Sequence, residues 1–183
     1  MPLKARSKAA VVIFAGDAPG KSACRDDLAA LIARHGLDDK VRLVGHCQEM
    51  PTAFLAAEVA LLPSLVPETF IEAQAMGCPV IVSDIGALPE TVVTQEEDKT
   101  GFTGWLVPPG DPSALAAKIK RALNLAPEAR AALGARARAR VASQYTLRAM
   151  QRATLAVDDE LLGTSLATRF GQSAKTAPSQ TPR

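Results

Sequence analysis

Aromatic residues are scarce in this chain: one Trp, one Tyr and five Phe make up 4% of 183 residues. Surfaces that hold single-stranded bases stack them on aromatic rings, so the composition argues against that role. Charge of one sign is lacking too, since 21 Lys and Arg face 19 Asp and Glu for a net +2. That balance leaves no electrostatic footprint for nucleic acid and no basic face for a membrane surface. No apolar run approaches the length of a membrane span, and the N-terminus carries no signal-peptide core. Histidine is limited to His35 and His46, neither with a companion at metal-ligand spacing, so no metal site is expected. The three cysteines, Cys24, Cys47 and Cys78, are odd in number, scattered and without a C-x-x-C pair. Reduced thiols in a cytoplasmic protein are the expectation.

What is present is an ordered series of apolar runs. AAVVIF (9–14) is short and continuous, the pattern of a strand buried on both faces. A helical stretch from Ser22 to His35 follows, with Leu28, Leu31 and Ile32 on one face and Gly36 as its C-terminal stop. VRLVG (41–45), VALLPS (59–64), PVIVSD (79–84) and GWLV (104–107) read as further strands, with short helices at 50–58 and 72–77 between them. Strands alternating with helices over this length indicate an α/β fold, an open parallel sheet with helices on both faces, in a single domain. Three helices come next. Asp111 caps the first, with Pro112 at its first position. The second carries ARARARVA, whose alternate arginines do not share a helix face and therefore read as solvated. The third spans 146–162, and residues 163–183, small and polar, read as a tail.

AGDAPGKS (15–22) follows a strand and opens a helix, the context that a phosphate-binding loop needs. In that alternative reading, a nucleotide hydrolase, backbone amides cradle phosphates, Lys21 reaches the terminal ones and Ser22 holds magnesium. Ala15 stands where the first glycine belongs, and Asp84 is the one candidate for the magnesium-bound aspartate after a second strand. A glycine-rich turn joining strand to helix is the commoner outcome.

The most specific stretches are Pro67 to Ile81, with P-E-x-F and E-A-x-A-x-G-x-P-V-I, and Thr103 to Asp111, with T-G-x-L-V-x-P-G-D. With VRLVGH before them, they resemble the C-terminal, donor-binding domain of retaining glycosyltransferases of the two-Rossmann-domain (GT-B) class, the family-4 or group-1 type. The resemblance covers roughly residues 10–145 with its order of elements intact. It implies a Rossmann-like sheet that is one half of a GT-B fold, and a nucleoside-diphosphate sugar as substrate. It puts Glu68 on the donor sugar's hydroxyls, as the catalytic candidate, and Glu72 on the nucleotide ribose. A carboxylate accepting paired hydrogen bonds from neighbouring hydroxyls suits both tasks. Between them Thr69, Phe70 and Ile71 open a helix whose amides and dipole suit a departing diphosphate. Gly45, His46 and Cys47 fall where relatives meet the base. Acidic residues are favoured at helix starts in any case, so a plain solvated role for both glutamates stays open.

Two departures from the family pattern stand out. Relatives place seven residues between the two glutamates, and here there are three. Four residues of helix are about 6 Å, so a true deletion would displace the diphosphate-facing amides. Relatives also begin this domain with a further strand and a basic loop, and they carry an N-terminal acceptor domain. The chain is therefore expected to be a donor-binding fragment, residues 1–145, with a C-terminal helix (146–162) and a tail. It is expected to need no cofactor and no metal, to lack independent transfer activity, and to await its N-terminal domain and an unknown acceptor.

Overall fold

The computed structural model describes residues 10–16, 22–62 and 68–173. They fall into two compact units, divided between Met50 and Pro51. In the first, β1 (Val12–Ala15) and β2 (Val41–Gly45) pair in parallel, joined by α1 (Ser22–Arg34). Parallel neighbours require a crossover of this kind, since a tight turn reverses the chain. Gly36, at φ +60°, turns the chain out of α1 in the left-handed conformation that glycine adopts without strain. One expectation fails here. The β1 run was to be buried on both faces, yet Val11 is 59% and Ile13 63% exposed. A two-stranded sheet with one crossing helix has too little surrounding structure to cover an apolar strand on both sides.

In the second unit, β3 (Ala60–Leu62), β4 (Val80–Ser83) and β5 (Gly104–Val107) form a parallel sheet in that order. The helices α2 (Met50–Ala56, starting at the division), α3 (Glu68–Ala75), α4 (Leu88–Thr91), α5 (Pro112–Leu123), α6 (Pro127–Gln144), α7 (Leu147–Leu162) and α8 (Leu166–Ser173) are the other elements among the described residues. All five expected strands form and all pairs are parallel. β1 and β2 pair within the first unit, and β3, β4 and β5 within the second.

The core lies on both faces of β4. All four residues of this strand are buried, as a continuous apolar run in a parallel sheet should be. Successive side chains point to opposite faces. Ile81 packs with Trp105 and Val107 of β5, Ala122 of α5 and Leu133 of α6. Each such large aliphatic side chain contributes about 1.5–3 kcal/mol by leaving water. Val80 and Val82 face the other way and are equally buried. Asp111 accepts a hydrogen bond from the Ala114 amide at 2.9 Å, and Pro112 follows at the first helical position, so α5 starts as expected.

The arginines of α6 correct the expectation of a solvated helix. Arg130 donates to the carbonyls of Glu58 (2.5 Å) and Ala122 (3.2 Å), and Arg136 to Phe102 O (3.0 Å). Arg138 donates to Met76 O (3.0 Å) and Arg140 to Glu90 O (2.8 Å). Because alternate residues point in different directions, the ARARAR run reaches three segments at once. It supplies donors to chain ends and loop carbonyls that no helix or strand ladder satisfies. Two further segments differ from the sequence reading. The short α4 forms in the loop after β4, and α8 occupies part of the polar tail. Asp159 of α7 explains α8, because its carboxylate accepts from the Thr164 hydroxyl (2.5 Å) and from the amides of Leu166 (2.6 Å) and Ala167 (2.8 Å). The cap comes from the preceding helix, so no local signal announces it.

Candidate functional site

Parallel strands bring their carboxyl ends to one edge, and the loops leaving that edge open the following helices. In open α/β sheets this is where ligands bind. Both sets of candidate residues come from such an edge, one in each unit. Gly45 ends β2, with His46 exposed and Cys47 half-buried directly after it. Gly45 stands at φ +70° and its carbonyl accepts from the Gly16 amide at 2.7 Å, which fixes the turn carrying the two side chains.

In the second unit β3 ends at Leu62 and α3 begins at Glu68. Pro67 lies outside the described residues, as do Asp17 to Lys21 of the phosphate-loop alternative. Phe70, Ala73 and Gln74 have no exposed surface, and their three- and four-residue spacing marks the buried face of α3. Position 68 and the exposed Glu72 share the opposite face, one helical turn apart. The shortened spacing thus places both glutamate positions within one helix. Thr69 and Ile71 are half-buried on its sides. The ring of Phe70 is enclosed in the core, which leaves its backbone amide for a ligand. The amides of residues 68–70 are the ones a helix start leaves without intrahelical partners, at the positive end of its dipole.

α3 is held from behind. Gln74 donates through Nε2 to Thr91 O at 3.1 Å, and the Thr91 hydroxyl donates to Leu88 O at 2.7 Å, linking α3 to α4. Gly134 lets α6 come close to the end of α3, with a virtual Cβ only 2.5 Å from Gly77 O. Cys78 follows within this packing. Burial pushes its thiol up to about 11, against opposing effects of the Ala60 backbone and Arg130, so it is no nucleophile near neutrality. Among the described residues, no helix is long and apolar enough to cross a membrane.

The model of the family described as glycosyl transferases group 1 matches residues 1–125. The chain belongs to that family. A group 1 relative, D-inositol 3-phosphate glycosyltransferase of Kineococcus radiotolerans, is 35% identical over 161 residues, covering 83% of this chain and 36% of its own. A glycosyltransferase from Rickettsia africae superposes with a TM-score of 0.73 at 26% identity, over 85% of this chain and 41% of that one. The Anabaena protein HepE, solved in complex with UDP, gives a TM-score of 0.70 at 23% identity, over 81% and 41%. The fold is therefore a Rossmann-like half of the GT-B architecture. The chain spans between 11% and 36% of the length of the curated relatives it matches.

Residues not selected from sequence lie at the same edge of the second sheet. Ser83 ends β4, and Asp111 and Leu115 belong to the start of α5; together with Leu61, Ile81 and Val107 they line a cavity of about 240 Å³. The available signal was the Thr103–Asp111 motif, which supported the resemblance without being given a role of its own.

Proposed function

We propose that these residues bind a nucleoside-diphosphate sugar, and that the whole protein transfers the sugar with retention of configuration, with neither metal nor cofactor. The observation that carries this reading is the arrangement of α3, where the exposed carboxylate of Glu72 and a helix start follow the carboxyl edge of a parallel sheet in a chain of the group 1 family. In this reading the amides of residues 68–70 receive the diphosphate as its charge develops. Glu68 takes hydroxyls of the donor sugar, Glu72 those of the ribose, and Gly45, His46 and Cys47 the base. UDP is the nucleotide favoured here, since HepE is solved with UDP and with UDP-glucose. Donor contacts alone leave the acceptor unpositioned, and positioning can supply about 7–11 kcal/mol of barrier reduction. The chain by itself is accordingly proposed to bind donor without transferring sugar.

Calorimetry of the 183-residue chain with UDP and GDP, on wild type and Glu72→Ala, tests the reading. Loss of hydrogen bonds to a charged group should weaken UDP by about 1–3 kcal/mol, or roughly 5- to 150-fold. Equal affinity of both proteins would place the nucleotide elsewhere. Binding of ATP that Lys21→Ala abolishes would favour the phosphate-loop alternative.

A further inference from the structure

The Thr103–Asp111 motif supplies one wall of the cavity at the carboxyl edge of β3, β4 and β5. On the face of the sheet that carries Ile81, the layer beneath α5 and α6 is filled by Trp105, Ala122 and Leu133. Toward the carboxyl ends of the strands the filling stops, and the cavity of about 240 Å³ opens between Leu61, Ile81, Ser83, Val107, Asp111 and Leu115. Its wall is built to stay in place. The Asp84 amide donates to Val107 O at 2.8 Å, the Asp111 amide to Pro108 O at 3.3 Å, and the Asp111 carboxylate holds the Ala114 amide. Pro108 and Pro109 have fixed φ angles, and Gly110 sits at φ +72°, so the turn has little freedom to collapse inward.

Size and lining define what fits. An apolar cavity of about 150 Å³ is enough to admit benzene, and this one is larger. Its side walls are aliphatic, and among the described residues no Lys, Arg or His lines it, so they offer a diphosphate no counter-charge. One carboxylate oxygen of Asp111 is engaged in capping α5, and its other oxygen and the Ser83 hydroxyl are the side-chain polar groups that the described lining offers. A sugar ring, with a hydroxyl on most of its carbons, would lose more hydrogen bonds to water than this lining returns. We propose that this cavity binds the apolar part of a small uncharged molecule, about one six-membered ring in size, with the Ser83 hydroxyl meeting a single polar atom. None of its described lining residues is a donor candidate, so the proposal does not depend on the donor reading.

The test uses the full chain, isotope-labelled and followed by NMR, with cyclohexanol and glucose as paired probes of one ring size. Cyclohexanol should give saturable shifts confined to amides around Ser83, Val107, Gly110 and residues 113–115, whereas glucose should leave them in place. Leu115→Phe, which fills the cavity, should weaken cyclohexanol by at least about tenfold, and Val107→Leu serves the same purpose if that variant does not fold. Shifts spread over β1 and α7, shifts that never saturate, or glucose moving the same amides would each overturn the proposal. So would unaltered cyclohexanol binding in a folded Leu115→Phe. A parallel UDP titration separates the two readings, because loss of UDP binding with cyclohexanol binding intact rejects the donor site alone.

Discussion

Replacing Gly134 by alanine sets two opposing effects against each other. Alanine is the better helix former, and in the interior of α6 the exchange favours folding by about 1 kcal/mol. Against this, the new Cβ would stand 2.5 Å from Gly77 O and 3.3 Å from Gly77 C. Reaching ordinary contact at 3.4 Å requires a displacement of 3.4 − 2.5 = 0.9 Å. The obstacle is a backbone carbonyl, so no rotamer change relieves it. The carbonyl belongs to a glycine at φ +73°, and its neighbour Met76 O receives Arg138 at 3.0 Å, so a shift there disturbs the end of α3 and its clamp together. Overpacking of this kind costs about 1–3 kcal/mol, and with a neighbour this rigid the upper half of that range applies. The net loss is about 1–2 kcal/mol, a fall in Tm of about 2–8 °C for a chain of this size. Gly171→Ala in α8 is the matched control, since a Cβ there meets nothing within 4 Å and should stabilise. Paired thermal melts followed by circular dichroism decide the matter. A Gly134→Ala protein that melts as high as Gly171→Ala would refute the close approach of α6 to α3.

Two further expectations concern titration. Raising the Cys78 thiol from 9.0 to about 11 lowers its thiolate fraction about 100-fold at neutral pH, and burial adds a steric barrier. Iodoacetamide at pH 8, followed by mass mapping, should therefore modify the exposed Cys24 first and leave Cys78 intact until the protein unfolds. Early labelling of Cys78 would contradict its packing. Below neutrality, three exposed carboxylates matter. Backbone hydrogen bonds from Gly101 and Thr100 hold Asp98 below its ordinary value, the Thr94 amide and hydroxyl do so for Glu97, and the Thr164 hydroxyl leads for Asp159. A depressed folded-state value means stability present above the ordinary carboxylate range and lost as pH falls through the folded value. The loop at 94–101 and the start of α8 should therefore loosen below about pH 4, ahead of the β4 core. Amide exchange of Gly101 and Ala167 against Val82 across an acid titration reads the order, and simultaneous loss of all three would count against it.

What could be read from the sequence follows from the range of the interactions involved. β4 was legible because the apolar run Val80, Ile81 and Val82 between Pro79 and Asp84 admits little else, and α5 because Asp111 and Pro112 form a local start signal. α8 escaped because its cap, Asp159, lies on the preceding helix, and the ARARAR run was misread because its hydrogen-bond acceptors, Met76, Glu90 and Phe102, come from distant segments. The same distinction governs the site. The motif at Pro67–Ile81 led to the carboxyl edge of a parallel sheet and to a family, both of which depend on the order of elements along the chain. It did not distinguish Phe70, enclosed in the core, from Glu72, exposed two residues later, since that depends on which side of an eight-residue helix meets the sheet. Nor did it reveal the cavity beside Ser83, whose walls come from β3, β4, β5 and α5. A motif thus locates the edge at which chemistry is to be sought, and the packing behind each residue decides which side chains are left to perform it.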